Sequence, residues 1–200
     1  MKQLRIQTKK MNLAIYIPGL GQEDTVEKQR KIVKKWRNDN LDTIFLEPKW
    51  LDQSESFEAK LKRLIKIVED IDHKKFKRIT FFGTSAGGTL GLNLFNKFTD
   101  WENTYFVAVS GKIIGPELIG KTYSDPHPAL IPSVNESVRI IADELKIDRK
   151  KRITSVVPLF DEVVNKKCMK IDGATHKRLW VLGHIPSIAL SITLLKNKYI

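Results

Sequence analysis

The chain predicts an α/β protein with a mostly parallel central sheet and helices on both faces. Three observations carry that prediction. Short β-type apolar runs alternate with longer stretches of helical periodicity along most of the sequence. Apolar residues make up 42% of the 200 residues and charged residues 29%, the balance of a globular protein with room for one well-buried core. Internal repeats, low-complexity tracts and linkers are absent from the sequence, so residues 1–200 are expected to form one domain.

Residues 12–18 (NLAIYIP) read as a buried strand that ends at the turn Gly19-Leu20-Gly21. Residues 23–38 are helical, with Val26, Val33 and Trp36 on roughly one face. Residues 42–47 (DTIFLE) form a second strand, stopped by Pro48. From Phe57 onward Leu61, Leu64, Ile65, Val68 and Ile71 mark an amphipathic helix, with Ser54 and Ser56 as candidate caps. Residues 78–82 (RITFF) are the third strand, followed by a glycine-rich turn and a helix that buries Leu90, Leu94, Phe95 and Phe98. Residues 104–110 (TYFVAVS) are the fourth strand. Residues 111–150, carrying Pro116, Pro126, Pro128 and Pro132, break the rhythm and predict an irregular, cap-like excursion with one helix near 137–145. Strands at 153–159 (ITSVVPL) and 178–182 (RLWVL) follow, then a final helix over about 186–198. Right-handed crossovers bring the C-terminal ends of all these strands to one edge, where such sheets bind ligands.

The motif with chemical content is Gly83-Thr84-Ser85-Ala86-Gly87, a G-x-S-x-G between a strand and a helix. A serine in that sharp turn projects its hydroxyl outward, and the helix N-terminus behind it favours developing negative charge. A phosphate-binding loop would need Lys-Ser/Thr after its last glycine, whereas this chain has Gly88-Thr89-Leu90. The order of elements and this elbow resemble the α/β-hydrolase superfamily over nearly the whole chain, in a small serine hydrolase or esterase-like member with a reduced cap.

That resemblance implies a triad in the chain order serine, acid, histidine, with Ser85 as nucleophile. A serine hydroxyl needs an imidazole to take its proton, and a carboxylate to hold the imidazole in the right tautomer. Asp161, after ITSVVPL, resembles the acid-bearing segment, with Glu162 and Asp172 as rivals. His184, in Leu182-Gly183-His184, resembles the segment before the last helix. The chain has four histidines. His73 lies before the elbow strand, His127 in the excursion, and His176 ahead of the last strand. The oxyanion donors implied are the backbone N–H groups of Ala86 and of Leu20, where Pro18 stands in place of the histidine of the superfamily's His-Gly turn. Ile113, Ile114, Leu118, Tyr123 and Leu130 are candidate walls of an acyl pocket.

The expected activity is cleavage of a carboxylic ester or thioester, with an amidase, a peptidase or a catalytically silent binding protein of the same fold as alternatives. Neither metal-ligand spacing nor a dinucleotide fingerprint occurs in the sequence, and no cofactor is expected. The single cysteine, Cys168, excludes an intrachain disulfide and fits a reducing compartment. The basic start is followed only by the short apolar run 13–17, which points to the cytoplasm, and no run approaches the ~20 residues of a membrane span. The expected partner is a small acyl substrate. The formal charge of +12 is spread over the chain as lysine, without the interleaved arginine and aromatic residues of a nucleic-acid module. Its basic runs, Lys9-Lys10, Lys74 to Arg78, Arg149 to Arg152 and Lys177-Arg178, are each read as preceding a strand, at the sheet edge opposite the site.

Overall fold

The computed structural model describes residues 11–115 and 128–200. Its six strands are β1 (Met11–Ile17), β2 (Leu41–Phe45), β3 (Phe76–Thr84), β4 (Thr104–Val109), β5 (Ile153–Phe160) and β6 (Thr175–Leu182). They form one sheet in the order β2-β1-β3-β4-β5-β6, and every neighbouring pair is parallel. The helices are α1 (Glu23–Lys34), α2 (Phe57–Glu69), α3 (Gly87–Lys97), α4 (Leu130–Arg139), the single turn α5 (Ile147–Lys150) and α6 (His184–Thr193).

The alternation of each strand divides the core in two. Leu13, Ile15 and Ile17 of β1 join Ile79, Phe81, Phe106 and Ile153 under α2 and α3. Ala14 and Tyr16 join Phe82, Val107, Val156 and Leu179 under α1 and α6. Successive side chains on a strand point to opposite faces, so both faces need an apolar cover, and these strands read as continuous apolar runs. The Trp36 indole N–H, just beyond α1, donates to the Ile192 carbonyl at 2.8 Å and ties the two covering helices together.

Several elements differ from the sequence reading, and β3, expected over 78–82, runs two residues further at each end. The helix placed near 137–145 begins at Leu130 and runs into a π-helical turn, Ile140–Glu144. Pro132 does not stop it, because it lies in the first helical turn, where its missing N–H has no intrahelical acceptor anyway. The last strand starts three residues early, at Thr175, so His176, Lys177 and Arg178 lie within β6. As one of the sheet's two edge strands, β6 keeps polar side chains in water, and its apolar pattern shortens accordingly. The final helix begins at His184, with Pro186 in its first turn, and ends at Thr193. Helix α1 stops at Lys34 rather than at 38.

Of the basic runs, Lys74-Lys75 immediately precede β3 but Lys77-Arg78 fall inside it, because that strand begins at Phe76, and 149–152 precede β5. Lys177-Arg178 sit in mid-strand, and Lys9-Lys10 lie outside the described residues. Arg149 is itself buried, stacked on Phe95 at 3.7 Å and donating to Thr104 Oγ1 at 2.8 Å, so part of this charge is spent on packing. Among the described residues no helix is long and apolar enough to cross a membrane.

Beneath the elbow, the buried Tyr16 hydroxyl donates to Gln29 Oε1 at 2.7 Å and lies 3.0 Å from Thr84 Oγ1. Its one proton goes to the amide oxygen, so Thr84 donates to Tyr16. Tyr16→Phe leaves the Thr84 hydroxyl and the Gln29 oxygen without this partner. It should cost about 1–2 kcal/mol in urea unfolding, with the slope against urea unchanged.

Candidate active site

Beta-strand β1 has β2 on one side and β3 on the other, so the chain turns outward in opposite directions after β1 and after β3. A crevice at such a switch point is where parallel sheets bind ligands. Ser85 stands at the end of β3, with φ = +50° in the left-handed region. A side chain on Gly83 would overlap the Gly87 carbonyl, and one on Gly87 would overlap the Ile17 carbonyl at the end of β1. The turn is therefore closed to any residue but glycine at both flanking positions. The Ser85 N–H donates to the Val109 carbonyl at 3.1 Å. The Ser85 carbonyl accepts from Gly88 N–H at 2.9 Å and from Lys112 N–H at 3.0 Å.

The other two sequence-singled residues arrive from the ends of β5 and β6. His184 Nε2 is 2.9 Å from Ser85 Oγ. His184 Nδ1 lies 2.8 and 3.0 Å from the two carboxylate oxygens of Asp161. Both side chains are almost wholly shielded from solvent. Gly183, at φ = +102°, turns the chain from β6 into α6 and places His184 as its first residue. Asp161 Oδ1 also accepts the backbone N–H groups of Val163 at 2.9 Å and Val164 at 2.7 Å. Burial pushes the Asp161 carboxyl up, but the bond from His184 and these two amides outweigh it and hold the group below its usual range.

The rival Glu162 lies elsewhere in the same assembly. Its carboxylate accepts the backbone N–H of His184 at 3.0 and 3.2 Å and so serves the N-terminus of α6, which offers N–H groups and a positive dipole end. The acids that meet His184 are the neighbouring pair, Asp161 on the ring and Glu162 on the backbone, and not Asp172. His73 stacks on Trp101 at 4.4 Å, and His176 Nε2 lies 3.1 Å from the Ile171 carbonyl, both apart from Ser85. His127, Leu118 and Tyr123 lie outside the described residues.

On the opposite side of Ser85 is the turn after β1. A side-chain carbon on Gly19 would stand 2.6 Å from Ser85 Cβ, so the backbone of this turn lies directly against the serine. Leu20 follows, half-buried against the core, and Ala86 opens α3, buried. The Trp50 indole donates to the Pro18 carbonyl at 3.1 Å and holds the turn in place. Nothing in the sequence links residues so far apart, and Trp50, Glu162's role and Gly19's closeness all escape a reading by motif. Ile113 and Leu130 are fully enclosed in the core, so they are not pocket walls, and Ile114 is partly buried beside them. A groove of about 600 Å³ runs between α2 and α4, and Ser85, Asp161 and His184 are not in its lining. Among the described residues no three His, Cys, Asp or Glu side chains gather closely enough to hold a metal ion.

A parallel sheet with a strained serine after a central strand, and a carboxylate and imidazole after the last two, is the α/β-hydrolase fold. Solved structures agree. The chain is similar to an alpha/beta hydrolase superfamily protein from Enterococcus faecalis, at 15% identity over 96% of this chain and 92% of that one, with a TM-score of 0.54. It is similar to Est1E from Butyrivibrio proteoclasticus, at 14% identity over 95% and 88% of the two chains, with a TM-score of 0.62. It is also similar to the metagenomic carboxyl esterase MGS0156, at 15% identity over 95% and 71%, with a TM-score of 0.62. No protein-family model and no curated protein sequence matches the chain. At these identities the likeness establishes the fold.

The depressed Asp161 carboxyl has a pH signature. A lowered folded-state value means that the stabilisation is present above the ordinary 3.8 and lost as pH falls through the lower, folded value. The stability gap between wild type and Asp161→Asn should therefore be open at about pH 6 and narrow progressively as pH falls below 3.8, in urea titrations across that range.

Proposed function

We propose that this protein is a serine hydrolase that cleaves a carboxylic ester or thioester of a small acyl group through an acyl-enzyme. One observation carries the reading: a single imidazole has one nitrogen 2.9 Å from Ser85 Oγ and the other 2.8 Å from a carboxylate oxygen. An ionised Asp161 accepts the Nδ1 proton, which leaves Nε2 as the base facing the serine. As Ser85 Oγ attacks the acyl carbon, its proton passes to Nε2. The imidazolium formed is stabilised by Asp161 and gives the proton to the leaving alkoxide or thiolate. Water then attacks the acyl-enzyme by the same route, and Ser85 recovers its proton. The negative charge on the carbonyl oxygen is assigned to the backbone N–H groups of Ala86 and Leu20. The Gly19 turn lying against Ser85 supports that pairing.

The carboxyl esterase among the similar structures supports an ester as the substrate class. The buried, unpaired Cys168 suits a reducing compartment, and we assign the protein to the cytoplasm, with a small acyl substrate, no cofactor and no specific nucleic-acid partner.

A fluorophosphonate probe should label Ser85, and short-chain p-nitrophenyl esters should be turned over. Ser85→Ala should abolish labelling and lower kcat by roughly 10³-fold or more. Asp161→Asn should cost on the order of 10²–10⁴ in kcat, whereas Glu162→Gln, which keeps an oxygen for the His184 N–H, should stay within about tenfold of wild type. Labelling that persists in Ser85→Ala would overturn the reading.

A further inference from the structure

Ser110, the residue after β4, has φ = +45°, a left-handed conformation uncommon for any residue but glycine, and it is completely buried. Its N–H donates to the Val156 carbonyl at 3.1 Å. Its hydroxyl lies 2.6 Å from that of Ser187, which is also completely buried, in α6. Ser187 Oγ in turn lies 2.7 Å from the His184 carbonyl. A carbonyl only accepts, so the one Ser187 proton goes to His184 and the Ser110 proton must go to Ser187. The result is a one-way buried chain, from Ser110 to Ser187 to the backbone of His184.

The preceding residue has a related task. The Val109 carbonyl accepts the Ser85 N–H at 3.1 Å. Adjacent residues at one strand end therefore hold both members of the reacting pair, Val109 on the serine side and Ser110 on the histidine side. Glu162 holds the His184 N–H from the end of β5, so the chain through Ser187 completes a clamp on both backbone groups of that residue.

We propose that Ser110 and Ser187 are positioning residues that set the height of the His184 ring above Ser85, with the Val109-Ser110 end of β4 as the common reference. The left-handed turn at Ser110 is retained because it brings this hydroxyl to Ser187. The inference rests on the reading of Ser85 and His184 as nucleophile and base. Neither hydroxyl touches substrate, and both act through the imidazole.

The test compares Ser187→Ala and Ser110→Gly with Ser191→Ala. Glycine relieves the left-handed backbone while deleting the hydroxyl, so this variant keeps its fold if the serine were only a structural strain point. Ser191 is a buried serine of the same helix whose hydroxyl has no hydrogen-bond partner, and it serves as the control. With p-nitrophenyl acetate, Ser187→Ala and Ser110→Gly should each lower kcat about tenfold with KM within about twofold, since the near-attack geometry is lost and substrate binding is not. The double variant should be scarcely slower than either single one, because the chain acts as a unit. Ser191→Ala should match wild type. The proton NMR signal of His184 Nδ1–H on Asp161 needs no turnover. It should move or broaden in Ser187→Ala and Ser110→Gly and stay in place in Ser191→Ala. Wild-type kcat and an unmoved signal in both chain variants would overturn the proposal. A wild-type protein that neither labels nor turns over esters would instead overturn the functional reading, and the NMR comparison would still judge the positioning.

Discussion

Everything at the candidate site depends on the backbone of one residue, Ser85, held in a left-handed conformation that costs an L-residue roughly 1–2 kcal/mol. That conformation survives because its surroundings over-determine it. Its N–H is bound to β4, and its carbonyl accepts from both Gly88 and Lys112. The absence of side chains at Gly83 and Gly87 lets α3 start against the end of β1. Strain at the end of β3, with a glycine two residues away on either side, exposes a hydroxyl where a parallel sheet gathers its strand ends.

The histidine that meets this hydroxyl is held by a different logic. Asp161 and Glu162 are adjacent, but they bind different parts of His184, and their separation follows from the backbone after β5. Asp161 turns back to accept the Val163 and Val164 amides as well as the ring, so its charge is supported on several sides while buried. Glu162 is left to meet the first N–H of α6. Two acids side by side would repel if aimed at one atom. Here one fixes the tautomer of the ring, and the other fixes the helix that carries it.

Much of the fold is legible in the sequence, because buried parallel strands are continuous apolar runs. The 12–18 run is β1 within a residue, and Ser56 caps α2 by accepting the Ala59 N–H at 3.2 Å. Legibility fails where a rule of thumb meets an exception with a physical cause. Pro132 signals a break but sits where a helix tolerates proline, and the polar start of β6 hides a strand because an outer strand keeps one side in water. At the site, the elbow motif and the two strand-end residues are visible as short patterns, and the structure brings both Ser85 and Asp161 within hydrogen-bond reach of His184. The contacts of Trp50 with Pro18 and of Ser110 with Ser187 leave no such pattern. They join residues 32 and 77 positions apart, and only the packed sheet makes them neighbours.

The central claim is that Ser85 forms a covalent acyl intermediate with His184 as its base. Rapid acid quenching of the protein during turnover of p-nitrophenyl acetate, followed by peptide mass spectrometry, tests it most directly. The account predicts a single acetyl group on the peptide that contains Ser85, carried by Ser85 itself and absent from His184→Ala treated in the same way. Acetyl found on another residue of the active protein, or turnover with no acetylated peptide under conditions where deacylation is slow, would contradict it.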